Sequence, residues 1–463
     1  MFEIMAPLMF LGLVLFLLVG YPVAFALGAN GLLFGLIGMQ LGYVDFAQLQ
    51  ALPERVFGIM SNATLLAIPF FVFMGLILER SGLAEELLDS MAQLFGALRG
   101  GLAYAVVLVG ALLAATTGVV AATVIAMGLI SLPIMLRYGY DKRVATGVIA
   151  ASGTLAQIIP PSLVLIILAD QLSVSVGDMY RGALLPSLML AGFYLIFIFI
   201  LTLAKPNMVP ALPASARVLR GKVLWLKAGV SILPPLILIF LVLGTIFMGI
   251  ATPTEGGAMG ATGALVLALA KRRLSLDLLK QAMDSTSRLT SFVIFILIGA
   301  TVFSLVFRLL EGDLWLENLL TAFPGGALGF LIVVNLLIFL LAFFLDFFEI
   351  AFIIVPLLAP VALSLGIDPV WFGVLLAINM QTSFMSPPFG FSLFYLRSVA
   401  PRTVKTSDIY WGAVPFLLIQ LSMVALVLAF PGLVGNHLET VDGGMMEIQL
   451  DESSDSYLLP PDQ

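Results

Sequence analysis

The chain has 463 residues, of which 61% are apolar and only 10% are charged, and its formal net charge is −6. A soluble domain carries about a quarter charged residues, so this composition excludes a soluble globular protein and indicates one that lies in a membrane. The absence of cysteine excludes disulfide bonds and cysteine-ligated metals. The sequence contains neither a GxxxxGK[ST] phosphate-binding loop nor a long basic run, so we expect no ATP hydrolysis by that loop and no nucleic-acid binding.

Apolar runs of about 20 residues recur along the chain, and each is long enough to cross a bilayer as a helix. Backbone in lipid must satisfy its own hydrogen bonds, so these runs predict an all-α membrane protein. Two hairpins, at residues 101–136 and 324–364, are predicted to be re-entrant, entering the membrane and returning on the same side. Ten spans are predicted to begin near residues 4, 22, 64, 144, 184, 228, 254, 290, 370 and 411.

The distribution of basic residues predicts the orientation of these spans. With both termini outside, 18 of the 21 Lys and Arg residues fall in inner loops, as the positive-inside rule requires. Arg55, Arg181 and Arg308 are then the basic residues on the outer side. Leucines recur on one side of the inner segment 79–100, which predicts an amphipathic surface helix. The acidic end, residues 433–463, is predicted to be disordered.

An internal repeat relates two parts of the sequence at an offset of 227 residues, without a gap. Pro133, Gly139, Asp141 and Pro160-Pro161 recur as Pro360, Gly366, Asp368 and Pro387-Pro388. The loop around Asp141 is basic and the loop around Asp368 is not, so the charge rule places the two copies on opposite sides. Inverted repeats are typical of secondary transporters, although channels can carry repeats as well.

The repeat divides the chain into two halves joined by a cytoplasmic linker at 206–227. Residues 1–205 are predicted to hold three scaffold spans, the hairpin 101–136, a broken helix at 144–170 and a span at 184–204. Residues 228–432 are predicted to hold three spans, the hairpin 324–364, a broken helix at 370–398 and a last span.

Two segments, 151–163 and 379–391, combine apolar length with polar, proline-containing centres. Pro160, Pro161, Pro387 and Pro388 are predicted to break the helices, because proline lacks a backbone donor and disfavours helix before it. Unwound carbonyls and hydroxyls suit hard cations such as sodium, and amides suit a polar substrate. The hydroxyls are those of Ser152, Thr154, Ser383 and Ser386, and the amides those of Gln157, Asn379 and Gln381. The alternative is a proline kink whose polar side chains are satisfied by neighbouring helices.

The hairpin turns hold the remaining polar residues. The first turn reads ATTGVVAAT at 115–123, and the second places Asp346 and Glu349 in an apolar stretch. A carboxylate in hydrocarbon is costly without a partner, so Asp346 is the main candidate for cation binding or gating. The alternative for Asp346 is a capping or protonated carboxyl at the turn. Glu255 is a third candidate, and its alternative is an acid in the first turn of a helix, where the dipole favours it.

Several of these motifs together carry a resemblance to a known family. IIPPS at 158–162, TPTEGGAMGA at 252–261, GIDPVWFGV at 366–374 and SPPFGFSLF at 386–394 resemble the large membrane subunit of tripartite ATP-independent periplasmic (TRAP) transporters. The resemblance covers residues 4–432. It implies an inverted-repeat elevator transporter of the bacterial inner membrane, multi-pass with both termini periplasmic. A sodium gradient would drive uptake of an organic acid, with no other cofactor.

The same resemblance implies partners and site residues. The partners are a small four-helix membrane subunit and a periplasmic substrate-binding protein. The cation sites would lie at Thr116, Thr117, Gly118, Ser152, Gly153 and Thr154, and at Asp346, Thr382, Ser383 and Ser386. Thr123 stands where well-known members have an acid. Residues predicted to bind substrate are Thr123, Gln157, Glu349, Asn379 and Gln381.

Two other functions compete with this one. A stand-alone sodium and organic-anion symporter would need no binding protein and is the alternative within the transporter class. A membrane enzyme or respiratory subunit would need metal, haem or quinone ligands, commonly histidines. The sequence has one histidine, His437, beyond the last predicted span, which argues against that class.

Overall fold

The computed structural model describes residues 2–217, 219, 221–321 and 324–435, apart from the side chains of Leu18, Thr117 and Thr321. Within these ranges every regular element is helical. His437 and the acidic tail from residue 436 onward, which the sequence predicts to be disordered, lie outside the described residues.

Eleven helices make up the first half of the chain. They are α1 (Phe2–Leu18), α2 (Val23–Gln40), α3 (Phe46–Leu49), α4 (Leu52–Met60), α5 (Ala67–Arg80), α6 (Leu83–Phe95), α7 (Gly101–Thr117), α8 (Val120–Arg137), α9 (Lys142–Thr154), α10 (Leu163–Gln171) and α11 (Val176–Ala204).

Ten helices follow in the second half. They are α12 (Gly221–Phe247), α13 (Pro253–Ala270), α14 (Leu276–Leu309), α15 (Gly312–Thr321), α16 (Gly326–Leu341), α17 (Phe347–Glu349), α18 (Val355–Ser364), α19 (Pro369–Phe384), α20 (Phe391–Val399) and α21 (Thr406–Ala429). A π-helical turn, Ile350–Ile354, joins α17 to α18.

Seven helical stretches of the described residues are long and apolar enough to cross a membrane, which confirms an all-helical, multi-pass membrane protein. They are Val23–Gln40, Val120–Arg137, Val176–Ala204, Gly221–Phe247, Leu276–Leu309, Phe347–Ser364 and Thr406–Ala429. An eighth is obtained when α5 and α6, bent by 58°, are counted as one span. Five of the ten predicted spans fall outside this set, because α1, α5, α9 and α19 are shorter than 18 residues and α13 is rich in glycine.

Two tightly packed helix pairs lie outside the broken helices. α2 packs along α14, and α5 packs along α13. Gly299 permits the first contact, because a methyl group there would overlap the backbone of Ala24. Gly260 permits the second, since a Cβ at this position would lie 2.5 Å from the Met74 sulfur. The glycine-rich run 256–263 thus serves close helix packing, as in many membrane helices.

The broken helices lie at the centre of the molecule. α9 packs against α7, α8 and α21, and α19 packs against α10, α11, α16 and α21. Nearly every residue from Val144 to Ala169 is buried, whereas the outer helix α12 exposes large apolar side chains such as Trp225 and Phe240. The polar residues predicted to form the site therefore lie deep inside the protein, and the apolar outer faces suit lipid.

Candidate functional site

Two aspartates start the broken helices in the same way. The Asp141 carboxylate accepts a hydrogen bond from the backbone N–H of Arg143 at 2.9 Å, and Asp368 accepts one from Trp371 at 2.7 Å. Each satisfies a donor that the first turn of a helix leaves free. These caps fix where α9 and α19 begin. They therefore also fix the positions of the polar residues about twelve residues further along each helix.

Both helices are interrupted at their double prolines. Residues 158–162 separate α9 and its short 3₁₀ extension from α10, and residues 385–390 separate α19 from α20. The peptide bonds Pro160-Pro161 and Pro387-Pro388 are both cis. Proline has no backbone N–H, so helical hydrogen bonding cannot continue through either segment. Carbonyls next to the breaks accept side-chain hydrogen bonds instead, as Gln157 O does from the Ser162 hydroxyl at 2.7 Å and Phe384 O from the Ser392 hydroxyl at 2.9 Å.

A buried polar network joins the two broken helices. Gln381 Nε2 donates to Thr154 Oγ1 at 3.4 Å. Gln420 Nε2 reaches the same Thr154 oxygen at 3.2 Å and the Tyr194 hydroxyl at 2.7 Å. All four side chains are fully buried. The network therefore ties α9 and α19 to α11 and α21, the long helices that follow each broken helix.

Sequence reasoning missed two members of this network, Tyr194 and Gln420. Each lies in a mainly apolar stretch of its helix, where a polar side chain usually faces the interior of a helical bundle. That signal could have identified Gln420 as buried, but the sequence contains nothing that shows it beside Thr154.

Several buried amide atoms near the breaks have no hydrogen-bond partner. They are both side-chain polar atoms of Gln157 and the Oε1 atoms of Gln381 and Gln420. Buried polar groups are nearly always paired, because an unpaired one costs about 1–3 kcal/mol. Gln157 and Gln381 are two of the predicted substrate-binding residues, and their free atoms leave hydrogen-bonding capacity for another group.

Three hydroxyls of the first predicted cation site, among its described side chains, point their protons at their own helices. Thr116, Ser152 and Thr154 donate to backbone carbonyls at 3.0, 2.6 and 2.9 Å. The oxygen lone pairs of Thr116 and Ser152 remain available as acceptors, which is what a hard cation requires. The Thr154 oxygen already accepts from Gln381 and Gln420. In the described residues no group of three or more His, Cys, Asp or Glu side chains could hold a metal.

Glycines bring the first hairpin turn against the first break. Gly118, with φ of 61°, forms the turn between α7 and α8, and a Cβ there would lie 3.1 Å from Leu163 at the start of α10. A methyl group at Gly153 would overlap Val124 of α8. The structure thus places Thr116, Gly118, Ser152, Gly153 and Thr154 in one region, while the side chain of Thr117 lies outside the described part.

The second predicted cation site is less closely assembled. Thr382 and Ser383 donate their hydroxyl protons to Ile378 and Phe339 carbonyls at 2.8 and 3.1 Å, and Ser386 is 6% exposed. Within the described ranges, no hydrogen bond joins Asp346 to any of these three hydroxyls. The second hairpin turn meets the second break through aromatic rings instead, with Phe344 and Phe389 centroids 5.6 Å apart.

Asp346 and Glu349 form a capping box at the start of α17. Asp346 Oδ1 accepts from the Phe347 N–H at 2.6 Å, and Glu349 Oε2 accepts from the Asp346 N–H at 3.0 Å. This is the capping geometry that was the alternative for Asp346. Glu255 forms a similar box with Thr252 at the start of α13, and it is exposed. Glu255 therefore has the first-turn role that was its alternative.

Two further predicted substrate residues bond within the protein. The Thr123 hydroxyl donates to the Val119 carbonyl at 3.2 Å, and the Asn379 amide donates to the Asn335 carbonyl at 2.6 Å. The second bond ties α19 to α16 of the hairpin. The roles of these and the other predicted site residues in binding remain predictions.

Long apolar helices that surround a buried polar centre, built from two interrupted helices, define a multi-pass membrane transporter. The family model described as "Tripartite ATP-independent periplasmic transporter, DctM component" matches residues 10–433. The chain belongs to this family, whose members are large permease subunits of TRAP transporters and not enzymes. The resemblance found in the sequence motifs is confirmed.

Curated relatives agree with this assignment, and a solved structure has a similar fold. The chain is 32% identical over 383 residues to the C4-dicarboxylate TRAP transporter large permease protein DctM of Pseudomonas aeruginosa, covering 82% of this chain and 88% of that protein. It is 29% identical to the 2,3-diketo-L-gulonate TRAP transporter large permease protein YiaN of Escherichia coli, covering 93% and 98%. The Alcanivorax borkumensis YdaH transporter has a similar fold, with a TM-score of 0.60 at 16% identity, covering 84% of this chain and 90% of that one.

Proposed function

We propose that this chain carries an organic acid into a bacterial cell across the inner membrane, driven by a sodium gradient. It does so as the large subunit of a three-part system, with a small four-helix membrane subunit and a periplasmic binding protein that delivers the acid. Both termini lie in the periplasm. The relatives' names include C4-dicarboxylate and 2,3-diketo-L-gulonate, which are organic acids.

The observation that supports this proposal best is the buried polar centre between the two breaks. Two interrupted helices from opposite halves meet there through Gln381 and Thr154, next to amide atoms with no partner. Transporters with inverted repeats commonly bind substrate and ions at such a place, near the middle of the membrane. The hydroxyl oxygens of Thr116 and Ser152 beside it suit a hard cation such as sodium.

An elevator movement fits the packing of the helices. The pairs α2–α14 and α5–α13 are held in close contact by glycines, and they provide a scaffold. The two hairpins and the two broken helices form the part that moves against it. The hairpin turns touch the breaks and therefore move with them. The ion and the acid stay enclosed during this movement, while the side of the membrane to which their site opens changes.

Reconstitution in proteoliposomes tests the proposal. The large subunit is incorporated with the small subunit, the binding protein is added outside with a radiolabelled organic acid, and uptake is measured with an inward sodium gradient. We expect uptake that needs both the gradient and the binding protein. Uptake that continues after both sodium and proton gradients are dissipated would rule out cation-driven transport, and full uptake without the binding protein would favour the stand-alone symporter.

A further inference from the structure

A cavity of about 700 Å³ lies between the second hairpin turn and two of the outer helices. Glu349 borders it from the hairpin. Residues 21–25, which lead into α2, and the α14 residues Ser287, Arg288 and Ser291 border it from the other side. The cavity therefore separates a predicted substrate-binding residue from the scaffold, at a place that sequence reasoning did not single out.

The polar end of this cavity suits a carboxylate. Arg288 is the one basic residue among those that line it. Ser291, three positions further on, lies on the same helix face, and Ser287 lines the cavity as well. Arg288 pairs with Asp284 at 3.0 Å, but the two side chains are 81% and 64% exposed. An exposed pair of this kind contributes little, so an arriving carboxylate can take over the guanidinium, which binds carboxylates in a two-pronged manner.

The remaining wall is aromatic and apolar. Phe25, Phe292 and Phe295 line the cavity, and the rings of Phe25 and Phe295 are 5.2 Å apart in an edge-to-face arrangement. Opposite Arg288 the cavity offers the acidic Glu349 and no second basic residue. A second carboxylate on the ligand would meet aromatic rings or a like charge, whereas an apolar or aromatic body would be buried favourably.

The position of the cavity along the membrane follows from the charge rule. Arg288 belongs to a basic inner segment, and the start of α2 lies in the inner turn between the first two spans. The first hairpin turn lies near the same region, because Val119 and Ala122 share a smaller cavity with Ser285 of α14. Both hairpin turns thus border the inner part of α14 in this conformation.

We propose that this cavity is the cytoplasmic release site of the transported acid. Arg288, with Ser287 and Ser291, binds the carboxylate, and the three phenylalanines bind an apolar or aromatic body. The preferred ligand class is a monocarboxylate with such a body rather than a short dicarboxylate. This inference rests on the proposed function, since it concerns the exit of the same substrate.

Cysteine labelling tests the site directly, because the natural chain contains no cysteine. Ser291→Cys is reconstituted, and its reaction with a membrane-impermeant maleimide is followed from each side. We expect labelling from the cytoplasmic side that phenyllactate slows and succinate at equal concentration does not. Ser398→Cys, exposed in an inner segment and remote from the lining residues, is the matched control and should be labelled without protection by either acid.

Arg288 variants complete the test. Arg288→Gln in the Ser291→Cys background should weaken protection by phenyllactate at least about tenfold, while Arg288→Lys should keep part of it. Equal protection by succinate, or no protection by either acid, overturns the inference. Labelling of Ser291→Cys from the periplasmic side alone overturns the inference as well. Sodium-driven uptake by the wild-type complex is measured in parallel, so that loss of protection with intact uptake refutes the release site and leaves the proposed function standing.

Discussion

Thr154 and Gln381 hydrogen-bond to each other, and they are separated by 227 residues, the same offset that relates the two Pro-Pro segments. In an inverted repeat, a residue can touch its own equivalent only close to the axis that relates the two halves. This bond therefore marks where that axis would pass. The predicted cation residues Ser152 and Thr382 lie within two positions of the bonded pair, so both sites border one shared polar centre.

Loss of Gln420 should destabilise this centre. In Gln420→Leu the Tyr194 hydroxyl, which is fully buried, loses its 2.7 Å hydrogen bond, and Thr154 loses one of its donors. We expect a decrease in the free energy of unfolding of about 1–3 kcal/mol. Thermal unfolding of the purified protein in detergent measures it. Ser422→Ala, on the exposed side of the same helix, is the control and should change stability little; equal unfolding temperatures for the two variants would contradict the network's role.

Replacement of Asp346 separates a cation-binding role from a capping role. Asparagine caps helices about as well as aspartate, so Asp346→Asn keeps the bond to the Phe347 N–H and removes the negative charge. We expect sodium-driven uptake to be lost in Asp346→Asn while the unfolding temperature stays near that of the wild type. Asp346→Ala should lose sodium-driven uptake and, because the helix cap is removed as well, should also unfold at a lower temperature than the wild type. Normal uptake by Asp346→Asn would leave the carboxylate with a capping role alone.

Close packing at Gly153 should tolerate no side chain. The methyl group of Gly153→Ala would overlap Val124 in the first hairpin and separate the hairpin from the broken helix. Overpacking of this kind typically costs about 1–3 kcal/mol, and we expect loss of uptake with it. Gly192→Ala in α11 is the matched control, because no atom lies within 4 Å of a Cβ there. Transport assays and thermal unfolding of both variants check this, and wild-type behaviour of Gly153→Ala would refute the tight contact.

The Glu86 carboxylate should give the protein a pH-dependent increment of stability. Glu86 in α6 binds Lys271 at 2.6 Å and accepts from Ser231 of α12 at 3.0 Å. Burial alone would raise the pKa of Glu86, but the bonds from Lys271 and Ser231 outweigh it and lower the pKa below its usual value. A lowered pKa in the folded state means that the increment is present above about pH 4.3, the ordinary value, and is lost as the pH falls further.

Thermal unfolding of the wild type and Glu86→Gln at several pH values checks this. We expect the variant to unfold at a lower temperature near pH 7 and the difference to shrink as the pH falls below about 4. Asp89→Asn is the comparison, since the Asp89–Lys227 pair has side chains 53% and 41% exposed and should contribute less. A difference between wild type and Glu86→Gln that does not depend on pH would show that the Glu86 charge plays no part.

The sequence predicted well those features that depend on local chemistry. The double prolines indicated the interruptions, and Asp141 and Asp368 recur at helix starts because a short acidic side chain satisfies free N–H groups. The capping role of Asp346 and Glu255 was recognised as the alternative in each case. These features depend on a few neighbouring residues, so one sequence suffices to identify them.

Features that depend on contacts between distant helices could not be predicted in this way. The sequence gives no indication that Gln420 lies beside Thr154, or that Arg288 borders a cavity with Glu349. Five of the predicted spans do not fall among the long apolar helices, for a related reason. A short helix such as α9 can remain inside the protein when neighbouring helices satisfy its polar groups, which hydropathy along one chain does not register.

The contact between Gly299 and the backbone of Ala24 has a consequence for how the protein can change shape. Helices that touch backbone to backbone cannot slide along each other, because any displacement would drive side chains into the space that the glycine leaves open. α2 and α14 must therefore move together as one rigid body throughout a transport cycle. Cross-linking these two helices permanently should leave the turnover rate unchanged.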